Sequence, residues 1–143
     1  YAKAPHFNNF FPVVEAVVNH PESNLGRFLE HHFTLMFEYL GLSTRLLRSS
    51  ELEKNNDLKA QDRIIDICRG LGTKVYLNAI GGRELYREES FRAEDMALKF
   101  IKMRPVPYPQ FKDDFVPGLS IIDVLMFNDR ARLKPLLSEY DLI

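Results

Sequence analysis

Residues 74–86 read KVYLNAIGGRELY, a short run of strand-forming residues followed by two adjacent glycines and a polar segment. Valine and tyrosine favour an extended backbone, so residues 74–77 predict a strand that leads into a loop at 78–82. Downstream, the pattern predicts a short helix at 88–95 and a second strand at 97–101. Because a helical crossover returns the chain in the same direction, we expect these two strands to pair in parallel.

A similar unit is predicted upstream of this stretch. Residues 44–47 form a short β-prone run that leads into Ser49 and Ser50, and Asn56 or Asp57 caps the helix that follows. The prediction is therefore an α/β fold: a small parallel sheet of about three strands with packed helices, followed by a proline-rich strap and C-terminal helices.

The amino-terminal part of the chain predicts two amphipathic helices. Apolar residues at helical spacing place the first from about Phe11 to Asn19, with Pro12 in its first turn because proline has no N–H to donate. The second helix is predicted to begin after a cap at Ser23 or Asn24 and to end at Gly41.

The carboxy-terminal part predicts the strap and two more helices. Residues 104–110 hold three prolines, which cannot sit inside a sheet and therefore predict an extended surface segment. Ser120 and Asp123 have the spacing of a capping box at the start of a helix. A last helix at 130–139 is predicted to be bent or interrupted at Pro135.

Composition limits the classes of function. The 143 residues suit one domain, 1–143, and a formal net charge of −1 argues against nucleic acid as a partner. No apolar run approaches the roughly 20 residues needed to span a membrane. The single cysteine, Cys68, cannot form an internal disulfide, so we expect a reducing compartment and a cytoplasmic protein. His31 and His32 are adjacent on a predicted helix and diverge by about 100°, so no metal or covalent cofactor is indicated.

The glycine-containing segment is the first candidate site. Gly81 and Gly82 allow a ligand to approach the backbone closely, and Asn78, Arg83 and Tyr86 can supply polar contacts. The alternative is a tight turn that needs glycine for a positive φ. Open parallel sheets place their ligands at the ends of strands, and this segment follows a predicted strand.

Two further candidates lie outside that segment. The hydroxyl groups of Ser49 and Ser50 could bind a phosphate or a sugar. Alternatively, they cap a following turn. Tyr108 and Gln110 either border a pocket, as an aromatic wall beside an amide, or belong to a strap held by core packing.

Ser120 and Asp123 are the last pair of candidates. They resemble a catalytic pair, although a capping box explains both residues without any catalytic role.

Several blocks in a fixed order carry a resemblance to a known family. They are YAKAPHF at 1–7, YLGL at 39–42, YLNAIGGRELY at 76–86, LKFI at 98–101, YPQ at 108–110 and FVPGLSIIDVLMFN at 115–128. This succession resembles the carboxy-terminal portion of the WbqC-like family and covers essentially all 143 residues. Family members usually begin with a segment resembling M-Q-P-x-F-F-P-x-x-G-Y, so we expect the chain to be the C-terminal part of a longer protein. Asp129 stands where the family tends to have glycine.

The resemblance implies a transferase-type role in bacterial surface polysaccharide or O-antigen biosynthesis, with a sugar nucleotide or amino sugar as ligand and the family's N-terminal segment as a further wall of the pocket. The residues that match the family's blocks are Asn78, Gly81, Gly82, Tyr86, Tyr108, Gln110, Ser120 and Asp123. We expect the glycine pair to face a hollow that the strap borders. The alternative is a non-catalytic interaction domain that docks a partner in polysaccharide biosynthesis.

Overall fold

A computed structural model describes residues 1–111 and 114–143. The chain forms two compact units, one of Tyr1–Leu46 with Pro105–Glu139 and the other of Leu47–Arg104 with Tyr140–Ile143. The helices are α1 Phe7–Val18, α2 Leu25–Leu40, α3 Ala60–Gly70, α4 Glu88–Arg92, α5 Ile121–Phe127 and α6 Arg130–Leu137. The strands are β1 Val75–Ala79, β2 Ala97–Met103 and β3 Tyr140–Leu142, and two 3₁₀ segments span Ser49–Glu51 and Ile80–Leu85.

Helix α1 begins earlier than predicted, so that Pro12 lies inside the helix and not in its first turn. The carbonyl of His6 accepts hydrogen bonds from the N–H groups of Asn9 and Phe10, each at 3.1 Å, which closes a turn before the proline. The side chain of Phe10 is fully buried. Packing of this turn outweighs the one backbone hydrogen bond that Pro12 cannot donate.

Helix α2 confirms its predicted ends. The side chain of Asn24 accepts a hydrogen bond from the backbone N–H of Arg27 at 3.1 Å, and Gly41 terminates the helix with a φ of 67°. A left-handed terminator of this kind favours glycine because it has no Cβ to clash with the backbone.

The first unit has its own core, formed where α1, α2, α5 and α6 bring apolar side chains together. Its most buried members are Phe10, Met36, Leu125, Met126 and Leu133. Helix α6 continues through Pro135, so the predicted interruption there is wrong, and a bend at Pro135 stays a prediction. Its N-cap is Asp129, whose carboxylate accepts a hydrogen bond from the N–H of Arg132 at 2.9 Å. Asp129 has a negative φ, so aspartate fits this position without backbone strain.

The sheet of the second unit confirms the α/β class and the count of three strands. Strand β1 pairs in parallel with β2, as predicted, and the strand order is β1-β2-β3. The sheet is mixed and not entirely parallel, because β3 pairs antiparallel with β2. The strand predicted at 44–47 is wrong: that run has no ladder partner and leads directly into the 3₁₀ segment.

Helices α3 and α4 cover one face of this sheet. Their contact with it is a core of Ile65, Cys68, Phe91, Leu98 and Phe100, in which the Cys68 thiol is buried. The predicted cap of α3 is wrong. The residue before the helix is Lys59, and its side chain makes no capping hydrogen bond. In the preceding turn, the N–H of Asp57 donates a hydrogen bond to the side-chain oxygen of Asn55.

The opposite face of the sheet, which we call the open sheet face, is exposed and mostly apolar, with Lys99 beside Leu77. Val75 and Leu77 of β1 are 51% and 47% exposed, and Met103 and Leu142 on the same face are also exposed. Parallel strands normally have both faces covered, so this face is unusual for its strand arrangement. None of the helices that the structure describes is long and apolar enough to cross a membrane.

Candidate functional site

A buried carboxylate organises the first unit. Asp123 is 3% exposed, and its Oδ2 atom accepts hydrogen bonds from the Tyr108 hydroxyl at 2.7 Å and the Gln110 amide at 2.9 Å. Its Oδ1 atom accepts a third hydrogen bond from the Tyr1 hydroxyl at 2.8 Å. We call Tyr1, Tyr108, Gln110 and Asp123 the carboxylate cluster. Three donors compensate the loss of water around one buried carboxylate.

Gln110 belongs to the carboxylate cluster and also closes the end of the strap. Its Oε1 atom accepts from the N–H of Val116 at 2.8 Å, and its Nε2 atom donates to the Val116 carbonyl at 3.3 Å. The amide therefore pairs with a backbone segment as a neighbouring strand would. A ligand that bound this amide would have to displace these contacts, at a cost of about 1 kcal/mol for each lost hydrogen bond.

The tyrosines of the cluster are poor nucleophiles in this setting. Burial and the hydrogen bond to Asp123 raise the pKa of Tyr108 to about 12, and the hydrogen bond to Asp123 raises the pKa of Tyr1. Both hydroxyls therefore remain protonated donors at neutral pH.

The capping box predicted for Ser120 and Asp123 is only half present. Ser120 Oγ accepts a hydrogen bond from the N–H of Ile122 at 3.2 Å and so caps α5, as predicted. The second hydrogen bond of a capping box would join the Asp123 carboxylate to the N–H of Ser120. Instead, the carboxylate accepts its three hydrogen bonds from Tyr1 and from the strap residues Tyr108 and Gln110. Sequence spacing could not reveal this, since a capping carboxylate and a buried one occupy the same position in the pattern.

A second polar cluster lies at the end of β1. Asn78 Nδ2 donates to the Tyr76 hydroxyl at 3.3 Å, and the Tyr76 hydroxyl lies 3.2 Å from that of Tyr86. The Asn78 side-chain oxygen accepts from the N–H of Ala79 at 2.7 Å. We call Tyr76, Asn78, Gly81, Gly82 and Tyr86 the strand-end cluster.

Tyr76 is the member of this cluster that the sequence argument missed. Burial, together with the hydrogen bond to Tyr86, raises its pKa, and its ring stacks on Phe91 at 5.5 Å between centroids. The available signal was the alternation of β1: residues two apart share a face of a strand, so Tyr76 lies on the same face as Asn78.

The two glycines lie in a 3₁₀ helix and not in a loop. Neither Gly81 nor Gly82 has a positive φ, so the alternative of a tight turn that requires one is wrong. A Cβ atom at Gly82 would lie 3.2 Å from Asn78 Nδ2, whereas a Cβ atom at Gly81 would meet nothing within 4 Å. Gly82 thus makes room for the Asn78 amide, and Gly81 leaves the backbone open to solvent.

Ser49 and Ser50 do not follow a strand. Both are exposed in a 3₁₀ segment, and the carbonyl of Ser49 accepts a hydrogen bond from the Lys54 ammonium group. Their proposed contact with a phosphate or a sugar stays a prediction.

The predicted site residues therefore fall into two groups in different units. The strap residues Tyr108 and Gln110 join Asp123 in the first unit, and Asn78 and Tyr86 meet through Tyr76 in the second. That the glycine pair and the strap border one hollow stays a prediction. In residues 1–111 and 114–143 no group of three or more His, Cys, Asp or Glu residues is placed to hold a metal ion.

Comparison with known proteins identifies the family. No curated protein and no solved structure shows significant similarity to the chain. The sequence model of the WbqC-like protein family matches residues 1–134 of the 143. The match contains both clusters, and it confirms the resemblance that the ordered sequence blocks predicted. The chain belongs to the WbqC-like protein family.

Proposed function

We propose that this protein has a transferase-type role in bacterial surface polysaccharide or O-antigen biosynthesis, and that it binds a sugar nucleotide at the strand-end cluster. The observation that carries the proposal is the open backbone at Gly81, next to Gly82 and the Asn78 amide that Gly82 accommodates, where β1 ends. Family membership supports the biological setting.

The strand-end cluster has the chemistry that a sugar nucleotide needs. The end of a parallel strand is where open α/β sheets bind ligands, and an exposed glycine lets phosphate oxygens reach backbone N–H groups. The exposed Arg83 in the same 3₁₀ helix adds a cation for the phosphates. Asn78 and Tyr86 supply an amide and a hydroxyl for sugar hydroxyls.

The role of these residues in the proposed reaction is binding and orientation. Because the pKa of Tyr76 is raised, its hydroxyl remains protonated and serves as a hydrogen-bond donor or acceptor, not as a base. In this proposal the strand-end cluster holds the activated sugar in place for an acceptor to attack.

The test is a calorimetric titration of the 143-residue chain with a panel of nucleotides and nucleotide sugars. A Cβ atom at Gly81 would meet nothing within 4 Å, so the variant Gly81→Leu should fold, cover the backbone there and lose binding. The matched control, Glu84→Leu, adds the same side chain at another exposed position of the same helix and should keep binding. Equal affinities for both variants, or no binding of any panel member by the unsubstituted chain, would reject the proposal.

A second candidate is a non-catalytic interaction domain that docks a partner in polysaccharide biosynthesis. The observation that favours it is the open sheet face, with Leu77 at its centre. It predicts that a folded Leu77→Lys variant loses co-purification with enzymes of that pathway and that no nucleotide sugar binds. Unchanged co-purification would reject it.

A further inference from the structure

A hollow in the first unit is lined by residues outside the carboxylate cluster. It has a volume of about 340 Å³ and is lined by His6, Asn9, Tyr39, Asp129 and Arg130. This volume falls near the lower end of the range for small-molecule sites, which suits a single sugar better than a whole nucleotide sugar. We call this the Arg130 hollow.

Polar groups from three helices converge there, and the Arg130 guanidinium lies over the Tyr39 ring. Helix α1 supplies Asn9 and its N-cap residue His6, whereas α2 supplies Tyr39 and α6 supplies Arg130. No hydrogen bond ties the side chains of His6, Asn9 or Arg130 to another residue that the structure describes. These side chains therefore keep hydrogen-bonding capacity that a polar ligand can use.

The Arg130 hollow carries charges of both signs, with the Arg130 guanidinium suited to an anion and the Asp129 carboxylate suited to hydroxyl groups. The guanidinium group of Arg130 offers several N–H donors to one phosphate. Helices α1 and α6, of 12 and 8 residues, begin at this hollow. The positive ends of their dipoles favour binding of an anion. Asp129 uses Oδ1 to cap α6, so its other oxygen can accept a hydrogen bond from a hydroxyl of the ligand.

The same geometry argues against a nucleobase stacked on Tyr39. The aromatic rings that line the hollow are those of His6 and Tyr39, and the Arg130 guanidinium carbon lies 5.3 Å from the centroid of the Tyr39 ring. The Phe10 ring also packs against the Tyr39 ring, with 5.1 Å between the two centroids. Burial raises the pKa of Tyr39, so its hydroxyl is a neutral donor or acceptor at the edge of the hollow.

We propose that the Arg130 hollow binds a small phosphorylated polyol, such as a hexose phosphate, with Arg130 and His6 on the phosphate and Asn9 and Asp129 on the hydroxyls. This proposal does not depend on the proposed function, because it concerns other residues and a ligand without a nucleobase.

The test is an NMR titration of the ¹⁵N-labelled 143-residue chain with glucose 1-phosphate, inorganic phosphate, glucose and uridine monophosphate. Glucose 1-phosphate should bind most tightly and shift the amide signals of residues around the hollow. Inorganic phosphate and uridine monophosphate should bind similarly to each other and more weakly, and glucose should not bind. Equal affinities of all three phosphates, or shifts confined to other parts of the chain, would overturn the proposal.

Two variants make the test specific. Arg130→Gln should weaken glucose 1-phosphate binding roughly tenfold to a hundredfold, because a hydrogen bond to a charged group is lost. The matched control is Arg45→Gln, the same change at an exposed arginine of the same unit, which should leave the affinity within about twofold. Asn9→Ala should weaken binding of the sugar phosphate and leave that of inorganic phosphate unchanged. Equal losses for Arg130→Gln and Arg45→Gln, or an unchanged affinity in Asn9→Ala, would overturn the proposal.

Discussion

Replacing Asp123 with alanine tests whether the carboxylate cluster holds the first unit together. The substitution removes the acceptor of three hydrogen bonds. The buried Tyr108 hydroxyl and the partly buried Gln110 amide then both lack this acceptor. Hydrogen bonds to charged groups contribute about 1.5–3 kcal/mol each, and the contribution from half-exposed Tyr1 is about 0.5 kcal/mol after solvent screening. Because these contributions overlap, we expect a loss of about 4 kcal/mol in the free energy of unfolding.

Urea denaturation followed by circular dichroism measures this loss. With a slope of about 2 kcal/mol per molar urea, the midpoint should fall by roughly 2 M. Tyr108→Phe should cost about 2 kcal/mol in the unsubstituted chain and close to nothing in the Asp123→Ala background, because its partner is already absent. A loss under about 1 kcal/mol for Asp123→Ala, or an equal cost of Tyr108→Phe in both backgrounds, would refute the account.

A pH dependence of Tyr108→Phe and three glycine substitutions give further tests. The pKa of Tyr108 is raised from 10.0 to about 12, so the stability that its protonated hydroxyl contributes is complete below pH 10 and is lost between about pH 10 and 12. The unsubstituted chain should therefore lose more stability than Tyr108→Phe between pH 9 and pH 11.5, by on the order of 2 kcal/mol. Urea titrations at these two pH values measure the difference. Gly82→Ala should destabilise by about 1 kcal/mol because Asn78 must move, whereas Gly81→Ala should be neutral or stabilising by up to about 1 kcal/mol; equal melting temperatures for the two variants would contradict this. Gly41→Ala should cost about 1 kcal/mol because its φ of 67° strains any residue with a Cβ, and an unchanged melting temperature would refute that reading.

The elements that local sequence patterns predicted well are those with local causes. The ends of α2 depend on an asparagine cap and a left-handed glycine, and both are visible in the sequence. Strand β3 was missed because three residues carry almost no pattern, and their extended form depends on pairing with β2, far away in the chain. The wrong strand at 44–47 is the converse case: its residues favour extension, but no neighbouring strand pairs with them.

The candidate site shows the same division. The glycine segment was found because glycine pairs are conspicuous, yet its 3₁₀ conformation and the role of Gly82 beside Asn78 appear only in three dimensions. The position of Asp123 was found as a cap, and its true donors come from the strap and from Tyr1, which is 122 residues away. The Arg130 hollow combines residues of α1, α2 and α6 that share no sequence motif, so no local pattern indicated it.

The central claim is that a sugar nucleotide binds where β1 ends. Backbone NMR of the ¹⁵N-labelled chain, titrated with the nucleotide sugar that binds best in calorimetry, tests it most directly. We predict that the largest shifts occur at residues 78–86 and disappear in Gly81→Leu while persisting in Glu84→Leu. Saturation without shifts in that segment would contradict the claim.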